Sequence, residues 1–300
     1  MAESFCTAGD VELCFETFGD PADPAMLLVM GLGTQMLGWR EDLCAELAGN
    51  GFFVIRYDNR DVGRSSPMKA KPPTTWQLLR RSRHAATYSL ADMAADGIAL
   101  LDHLGIERAH VVGASMGGMI AQLMAARYPR RVLSLASIMS NTGSLRNGQP
   151  NARAMKLLLR KPPREREAFI ESTVEVFAYV GSPGFARDED ELRAMLARSY
   201  DRGGDPAGAA RQLAAIIASG NRTQWLGTIT APTVVIHGTA DRLVAPSGGR
   251  ATARAIPDAR LVMVEGMGHD LPRGAWPQIV GAIVENARRA TAETETAAAA

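Results

Sequence analysis

The chain has 300 residues, of which 46% are hydrophobic and 22% are charged, values typical of an ordinary globular protein. The 33 lysine and arginine residues nearly balance the 32 aspartate and glutamate residues, and the formal net charge is +1. No overall field therefore favours nucleic acid or an anionic membrane, and a small molecule is the expected partner. No apolar stretch approaches the roughly 18 residues that cross a bilayer.

The N-terminal residues and the cysteines indicate the compartment. The first ten residues lack the basic start and apolar core of a signal peptide. Cys6, Cys14 and Cys44 are odd in number and have none of the spacings of a zinc site. We therefore expect reduced, packed thiols in a cytoplasmic protein, with no metal.

The first predicted element is a β-hairpin. Residues Ser4 to Ala8 and Val11 to Phe18 read as two strands joined by a Gly9-Asp10 turn. Pairing about that turn sets Cys6 opposite Leu13 and not opposite Cys14, which argues against a disulfide.

Six short apolar runs, bounded by glycine, aspartate or asparagine, follow the hairpin. Such runs are typical of strands buried on both faces, as in a parallel sheet covered by helices. The runs are Met26 to Met30, Phe52 to Tyr57, His110 to Gly113, Val132 to Ile138, Thr233 to His237 and Leu261 to Val264. The sequence therefore predicts an α/β fold with a mostly parallel central sheet flanked by helices.

Between residues 141 and 224 only helical patterns occur. The signals are a break at Pro162-Pro163, a helix from Glu165 to Val180, and helix starts at Asp188 and at Asp205-Pro206. We predict a helical cap over 141–224, inserted into a core formed by 1–140 and 225–290; the alternative is a helical excursion without substrate contact. After a last helix from Trp276 to Ala290, residues 291–300 are expected to be a disordered tail.

The strongest chemical signal is Gly113-Ala114-Ser115-Met116-Gly117, between a predicted strand and a predicted helix. This G-x-S-x-G pattern is typical of a nucleophile elbow, in which a sharp turn exposes the serine hydroxyl at the sheet edge. The flanking glycines allow the chain to pass close to itself without Cβ clashes. We predict Ser115 as the nucleophile.

A serine hydroxyl needs a base, and the base needs an acid that orients it. Of the five histidines, His269 alone lies in a flexible turn directly after the last strand, whereas His237 is interpreted as a structural cap of its strand. Asp241 follows the preceding strand, so that serine, aspartate and histidine occur in the order that this kind of site expects. Acyl transfer also needs oxyanion donors, and we predict the backbone N–H groups of Met116 and Leu32.

Two further charged segments lie outside these motifs. The charged turn from Asp58 to Ser65 is predicted to be structural, with Asp58 and Arg60 bonding backbone groups. The long segment 66–87 carries Trp76 among apolar and basic residues, and it either borders the pocket, contacts lipid or is a solvated amphipathic segment.

With these residues identified, the chain resembles the α/β-hydrolase superfamily over residues 4 to 290. More narrowly it is similar to the aclacinomycin methylesterase family and to mycobacterial Lip-type carboxylesterases. The stretches that carry this likeness are residues 19–25, Val54-Ile55-Arg56-Tyr57-Asp58, Arg60-Asp61, Gly63-Arg64-Ser65, Ala109-His110-Val111-Val112-Gly113, Ser115-Met116-Gly117 and Gly266-Met267-Gly268-His269.

The resemblance implies the α/β-hydrolase fold, a triad of Ser115, Asp241 and His269, the Leu32 and Met116 oxyanion donors and a cap. Many relatives begin the oxyanion loop with His-Gly, whereas this chain has Met30-Gly31, which leaves the support of that loop open. The predicted function is cofactor-free hydrolysis of small, apolar, uncharged carboxylic esters. Lactone hydrolysis, carbon–carbon bond hydrolysis, perhydrolysis and a non-catalytic ligand receptor remain alternatives, and the oligomeric state is open.

Overall fold

A computed structural model describes the backbone of residues 3–160 and 163–299 and the side chains as far as Thr291. Eight strands form one sheet in the order β1-β2-β4-β3-β5-β6-β7-β8. The strands are β1 Ser4–Ala8, β2 Val11–Phe18, β3 Ala25–Val29, β4 Phe53–Tyr57, β5 Ala109–Ala114, β6 Val132–Ile138, β7 Thr233–Gly238 and β8 Arg260–Val264. Each agrees with a predicted strand to within one residue at either end.

The sheet combines an antiparallel edge with a parallel body. β2 runs antiparallel to both β1 and β4, and all the other pairs are parallel. In the hairpin Cys6 lies opposite Leu13, as the turn predicts. All three cysteines are free and buried. Because the carboxyl ends of the parallel strands meet at one edge, the loops that follow β3, β5, β7 and β8 lie there together.

Helices cover both faces of the sheet. The core helices are α1 Glu41–Gly49, α2 Thr75–Leu79, α3 Leu90–His103, α4 Met116–Arg127, α10 Ser247–Ala255 and α11 Trp276–Ala299. Leu27 and Val29 of β3 pack with α3 and α4 on one face, and Met26 and Leu28 pack with α1 and α11 on the other. This double burial explains why the sequence of β3 is apolar without alternation.

Five helices lie between β6 and β7, where the sequence predicts the cap. They are α5 Ala152–Leu158, α6 Arg166–Val180, α7 Glu189–Asp201, α8 Gly208–Ser219 and α9 Thr223–Leu226, the last of which crosses the predicted boundary at 224. The predicted break at Pro162-Pro163 lies partly outside the described residues, because Pro162 is not described. The cap has a small apolar cluster of its own around Ile170, Val174 and Leu196.

The end of the chain differs from the prediction. Helix α11 continues to Ala299, nine residues beyond the predicted end at Ala290, so residues 291–299 are helical and not a disordered tail. The physical reason is composition, because alanine and glutamate, which make up most of this stretch, are strong helix formers.

Candidate active site

Ser115 occupies a sharp turn between β5 and α4. Its φ and ψ are 57° and −118°, a combination that side-chain-bearing residues seldom adopt. Both glycines of the motif are sterically required, since a Cβ at Gly113 would lie 2.2 Å from the Gly117 carbonyl oxygen and one at Gly117 would lie 2.0 Å from that of Val29. The Ser115 N–H donates to the carbonyl of Ile138 at 2.9 Å, which ties the turn to β6.

The three side chains singled out in the sequence form one hydrogen-bond chain. His269 Nε2 lies 2.9 Å from Ser115 Oγ, and His269 Nδ1 lies 2.7 Å from Asp241 Oδ2. These residues follow β5, β7 and β8, so the shared edge of the parallel strands brings them together. A serine, an imidazole and a carboxylate linked in this order have the geometry for transfer of the serine proton to the ring.

Asp241 is buried, and both of its carboxylate oxygens have hydrogen-bond partners. Its Oδ1 accepts the backbone N–H groups of Leu243 and Val244 at 2.9 and 2.8 Å. Burial by itself would raise the pKa of Asp241, but interaction with His269 and hydrogen bonds from His237 and His269 hold that pKa well below its ordinary value. The group is therefore an ionised carboxylate across the physiological pH range.

His237 lies behind this carboxylate. Its Nε2 is 2.8 Å from the carbonyl oxygen of Val244 and 3.5 Å from Asp241 Oδ2. Because a carbonyl only accepts, Nε2 carries the proton, and the same N–H points toward Asp241. The sequence identified His237 as structural, but its closeness to Asp241 became visible only in three dimensions.

The loop after β3 lies directly over Ser115. A Cβ at Gly31 would be 3.2 Å from the Cβ of Ser115. The N–H groups of Leu32 and Met116 have no acceptor among the described residues. Both predicted donors are thus available to a substrate oxygen at this end of the site.

Two buried amides, Asn59 and Gln212, support the loop that begins with Met30-Gly31. Asn59 Nδ2 donates to the carbonyl of Met30 at 2.9 Å. Gln212 Oε1 accepts the N–H of Gly33 at 2.8 Å, while its Nε2 donates to the carbonyl of Arg60 at 2.8 Å. Gln212 belongs to α8, so the cap supports the loop across a separation of 179 residues. Nothing in the local sequence pattern signals this contact.

The cap also holds residues 266–270, which we call the histidine loop. The N–H of His269 donates to the carbonyl of Val180 at 2.7 Å, and the N–H of Gly268 donates to Ser182 Oγ at 2.8 Å. The Ser182 hydroxyl in turn donates to Asp270. The position of His269 therefore depends on the segment between α6 and α7, which sequence reasoning did not identify.

Two other carboxylates, Glu265 and Asp270, lie in or next to the histidine loop. Asp270 bonds to Ser182 and not to the ring of His269, and burial raises the pKa of Asp270. Glu265 is exposed. Among the described residues Asp241 is the carboxylate that reaches His269 Nδ1.

A cavity of about 1540 Å³ opens above Ser115, between the core and the cap. Its walls are mainly apolar and include Met30, Met119 and Met139 from the core and Leu158 and Phe177 from the cap. This volume exceeds the roughly 300–1,000 Å³ of common small-ligand pockets, so the space suits a bulky apolar group. Phe177 lines the cavity, whereas the nearby Tyr179 does not and donates its hydroxyl to Asn151 Oδ1 at 3.0 Å.

The charged turn after β4 is structural, but its partners differ from those predicted. Arg60 forms a buried bidentate pair with Asp96 on α3 and does not bond backbone groups through its guanidinium. Asp58 does accept the backbone N–H of Met36, at 2.7 Å, and also pairs with Arg202 of the cap at 2.9 Å. Buried charges need charged partners, which here lie far away in the sequence.

Within the described residues, no group of three or more histidine, cysteine, aspartate or glutamate side chains is arranged to hold a metal ion. In the same part of the chain, no helix combines the length and apolarity that crossing a membrane requires.

Comparison with known proteins finds hydrolases among the relatives of this chain. Rhodomycin D methylesterase DauP of Streptomyces sp. (strain C5) is 31% identical over 312 aligned positions, which cover 97% of this chain and all of that protein. The 3-oxoadipate enol-lactonase 2 of Acinetobacter baylyi is 28% identical over 86% of this chain and 87% of its own length. The crystal structure of a hydrolase from Pseudomonas aeruginosa PA01 matches with a TM-score of 0.70 and 25% identity, covering 95% of this chain and 97% of that one.

The family model for the alpha/beta hydrolase fold matches residues 24–272, a range that contains Ser115, Asp241 and His269. The chain therefore belongs to the α/β-hydrolase family and has methylesterases among its relatives.

Proposed function

We propose that this protein is a serine hydrolase that cleaves uncharged carboxylic esters of the methylesterase type, with a bulky apolar acyl group in the large cavity. The observation that carries the proposal is the chain of hydrogen bonds from Ser115 through His269 to Asp241 at the base of that cavity. The methylesterase relative supports a small alcohol group. The cavity volume and its apolar walls support a large acid.

In the proposed reaction Ser115 Oγ attacks the ester carbonyl carbon while its proton passes to His269 Nε2. The resulting negative charge on the carbonyl oxygen is stabilised by the N–H groups of Leu32 and Met116. The ionised Asp241 stabilises the imidazolium and fixes the ring tautomer. Collapse of this intermediate breaks the bond to the alcohol, which leaves with the proton from Nε2.

The acyl-serine is then hydrolysed by the same groups. A water molecule gives one proton to His269 Nε2 and attacks the acyl carbon. Collapse of the second tetrahedral intermediate releases the carboxylic acid and returns the proton to Ser115 Oγ. All steps use side chains and backbone N–H groups, so the proposed reaction requires no cofactor.

The test is a labelling and turnover experiment on Ser115→Ala. We expect a fluorophosphonate to label the wild-type protein at Ser115, and the variant to lose about 10⁴- to 10⁶-fold in turnover while it keeps its melting temperature. Labelling of another serine, or retained turnover in the variant, would contradict the proposal.

Lactone hydrolysis is the second candidate, because an enol-lactonase is similar over 86% of this chain. The same attack on a cyclic ester opens the ring and leaves the alcohol attached to the product. Kinetics on methyl esters and p-nitrophenyl esters of increasing acyl length, beside a panel of lactones, separates the two. A higher kcat/KM for the lactones would replace the ester proposal, and tight binding without repeated turnover would indicate a receptor.

A further inference from the structure

A second cavity, of about 570 Å³, lies beside the first and is strongly basic. Arg81, Arg83 and Arg146 line it, and no described carboxylate forms an ion pair with any of the three. Arg81 also has a φ of 52°, in the left-handed region that non-glycine residues seldom occupy. Three unpaired guanidinium groups around one cavity favour an anionic ligand.

Two of the segments that form this cavity belong to stretches that carry charge of one sign. Residues 66–87 contain five lysine or arginine residues and residues 142–160 contain four, and neither range contains an aspartate or a glutamate. Arg81, Arg83 and Arg146 from these stretches line the cavity itself, so positive charge is concentrated there although the whole chain has a net charge of +1. A concentrated positive patch attracts anionic surfaces even when the net charge is small.

A buried arginine adds to this field. Arg222 donates hydrogen bonds to the carbonyl oxygens of Asn141 and Gly220 at 2.7 and 3.1 Å, and no described carboxylate pairs with it. Burial lowers the pKa of Arg222 to about 10, so the side chain is still a cation at neutral pH. Its guanidinium lies next to Gly143 and Gly220, both of which line the second cavity.

Large apolar side chains are exposed in the segments that contribute to this cavity: Leu145 lines it, and Trp76 and Leu79 precede Arg81 in the chain. Trp76, Leu79 and Leu145 are 62%, 55% and 64% exposed, and they account for three of the five large hydrophobic residues exposed in the described part of the chain. Arg80 lies over the Trp76 ring at 4.5 Å. An exposed tryptophan beside arginines is typical of side chains placed at the interface of a lipid bilayer.

We propose that this face, formed by residues 76–83 and 143–146, docks onto an anionic phospholipid membrane. Lipid phosphates occupy the arginine-lined cavity, while Trp76, Leu79 and Leu145 enter the interfacial layer. Basic residues supply the attraction to the surface and apolar residues supply insertion, and peripheral binding generally needs both.

The docking face adjoins the proposed active site. Arg81, Gly143 and Ile217 line both cavities. Docking would therefore bring the large apolar cavity close to the membrane, from which an apolar ester could enter. This inference does not depend on the proposed hydrolysis, because binding can be measured without turnover.

The test is co-sedimentation of the full chain with vesicles of phosphatidylcholine, with and without phosphatidylglycerol. We expect binding only to the vesicles that contain phosphatidylglycerol, and loss of that binding at about 1 M salt, where exposed charges are screened. Equal binding to both kinds of vesicle, or to neither, would overturn the proposal. Absence of binding to both would point instead to an acidic protein as the partner of this face.

Two double variants with the same change in charge distinguish the effect of the docking face from the effect of overall charge. Arg83→Gln with Arg146→Gln should lower the partition coefficient on anionic vesicles about 25-fold, at about fivefold per cation. The matched control, Arg108→Gln with Arg130→Gln, removes two exposed cations that precede β5 and β6 at the opposite sheet edge and should change the partition little. An equal loss in the control would overturn the assignment to this face.

The apolar contribution is tested by Trp76→Ser with Leu145→Ser. We expect roughly a tenfold lower partition on anionic vesicles, since partly buried apolar side chains are removed from the interface. Neither residue lines the large cavity, and an unchanged melting temperature of the variant reports a correct fold. Unchanged vesicle binding in this variant would show that the apolar residues do not insert, contrary to the proposal.

Discussion

The nucleophile turn and the histidine loop are held in place in different ways. Ser115 is fixed by the core alone, through two sterically required glycines and a bond to β6. The histidine loop is held by both parts of the protein. Thr239 and Ala240 of the core bond to Gly266 and Met267, and Val180 and Ser182 of the cap bond to His269 and Gly268. The cap is therefore part of the proposed site as well as its cover, because the backbone of the proposed base bonds to an inserted segment.

The largest expected effect concerns the acid that serves the proposed base. Asp241→Asn should lower kcat by about 10⁴-fold, because an amide neither stabilises the imidazolium nor selects the same ring tautomer. Steady-state kinetics on the preferred ester measures this loss. Asp270→Asn is the matched control, since Asp270 bonds to Ser182 and not to the ring, and it should lose far less. The reverse ranking would make Asp270 the acid.

The next largest effect is expected at Leu32, where two variants distinguish the role of the backbone N–H from that of the side chain. Leu32→Pro removes the N–H that we propose as an oxyanion donor, and kcat should fall about 10²- to 10³-fold. Leu32→Ala keeps the donor, so kcat should change little. Fluorophosphonate labelling and the melting temperature of each variant, with Gly33→Ala as a control for loop displacement, show whether the loop stays in place. Equal kcat in the proline and alanine variants would place the second donor elsewhere.

A smaller effect tests the cap's hold on the histidine loop. Ser182→Ala removes the acceptor for the N–H of Gly268 and the donor to half-buried Asp270, and leaving such groups unpaired costs about 1–3 kcal/mol. If that cost displaces His269, kcat should fall roughly tenfold to 100-fold with little change in KM. Ser182→Thr keeps the hydroxyl and should restore most of the activity.

Tyr179→Phe is the comparison for that variant. It removes a hydrogen bond to Asn151 from α6, the helix that precedes Ser182, without touching the histidine loop, and kcat should stay at the wild-type value. Full kcat in Ser182→Ala would show that the Ser182 hydroxyl is not needed to hold His269 and that the core and the Val180 carbonyl suffice.

The smallest effect concerns selection of the acyl group. Phe177→Ala enlarges the cap side of the cavity, so the ratio of kcat/KM between bulky and short esters should rise about tenfold. A panel of esters that differ only in acyl size measures the ratio. The same proportional change for every ester would mean that Phe177 supports the cap without contacting substrate.

A feature of this protein could be predicted from the sequence where it depends on adjacent residues. The G-x-S-x-G motif, the hairpin register and the apolar strands are patterns of adjacent residues, and the structure shows each of them where it was predicted. Asp241 and His269 were found because loops after parallel strands meet at one edge. Their roles remain proposals, to be decided by the variants above.

Other features join residues that are far apart in the chain and leave no pattern among adjacent residues. Gln212 reaches Gly33 across 179 residues, and Ser182 reaches Gly268 across 86. Arg60 was expected to bond backbone groups but pairs with Asp96, because its burial against α3 demands a charged partner. No periodicity or motif in the sequence specifies such pairs, since they depend on how the cap docks onto the core.

The sheet, the nucleophile turn and the positions of the proposed acid and base could be predicted from the sequence, because hydrophobic periodicity and steric demands act between near neighbours. Three features required the folded structure: Ser182 holds the histidine loop, Gln212 and Asn59 support the loop after β3, and Arg81 and Arg83 line one cavity with Arg146. These contacts join distant parts of the chain, and their geometry is fixed by packing between the cap and the core.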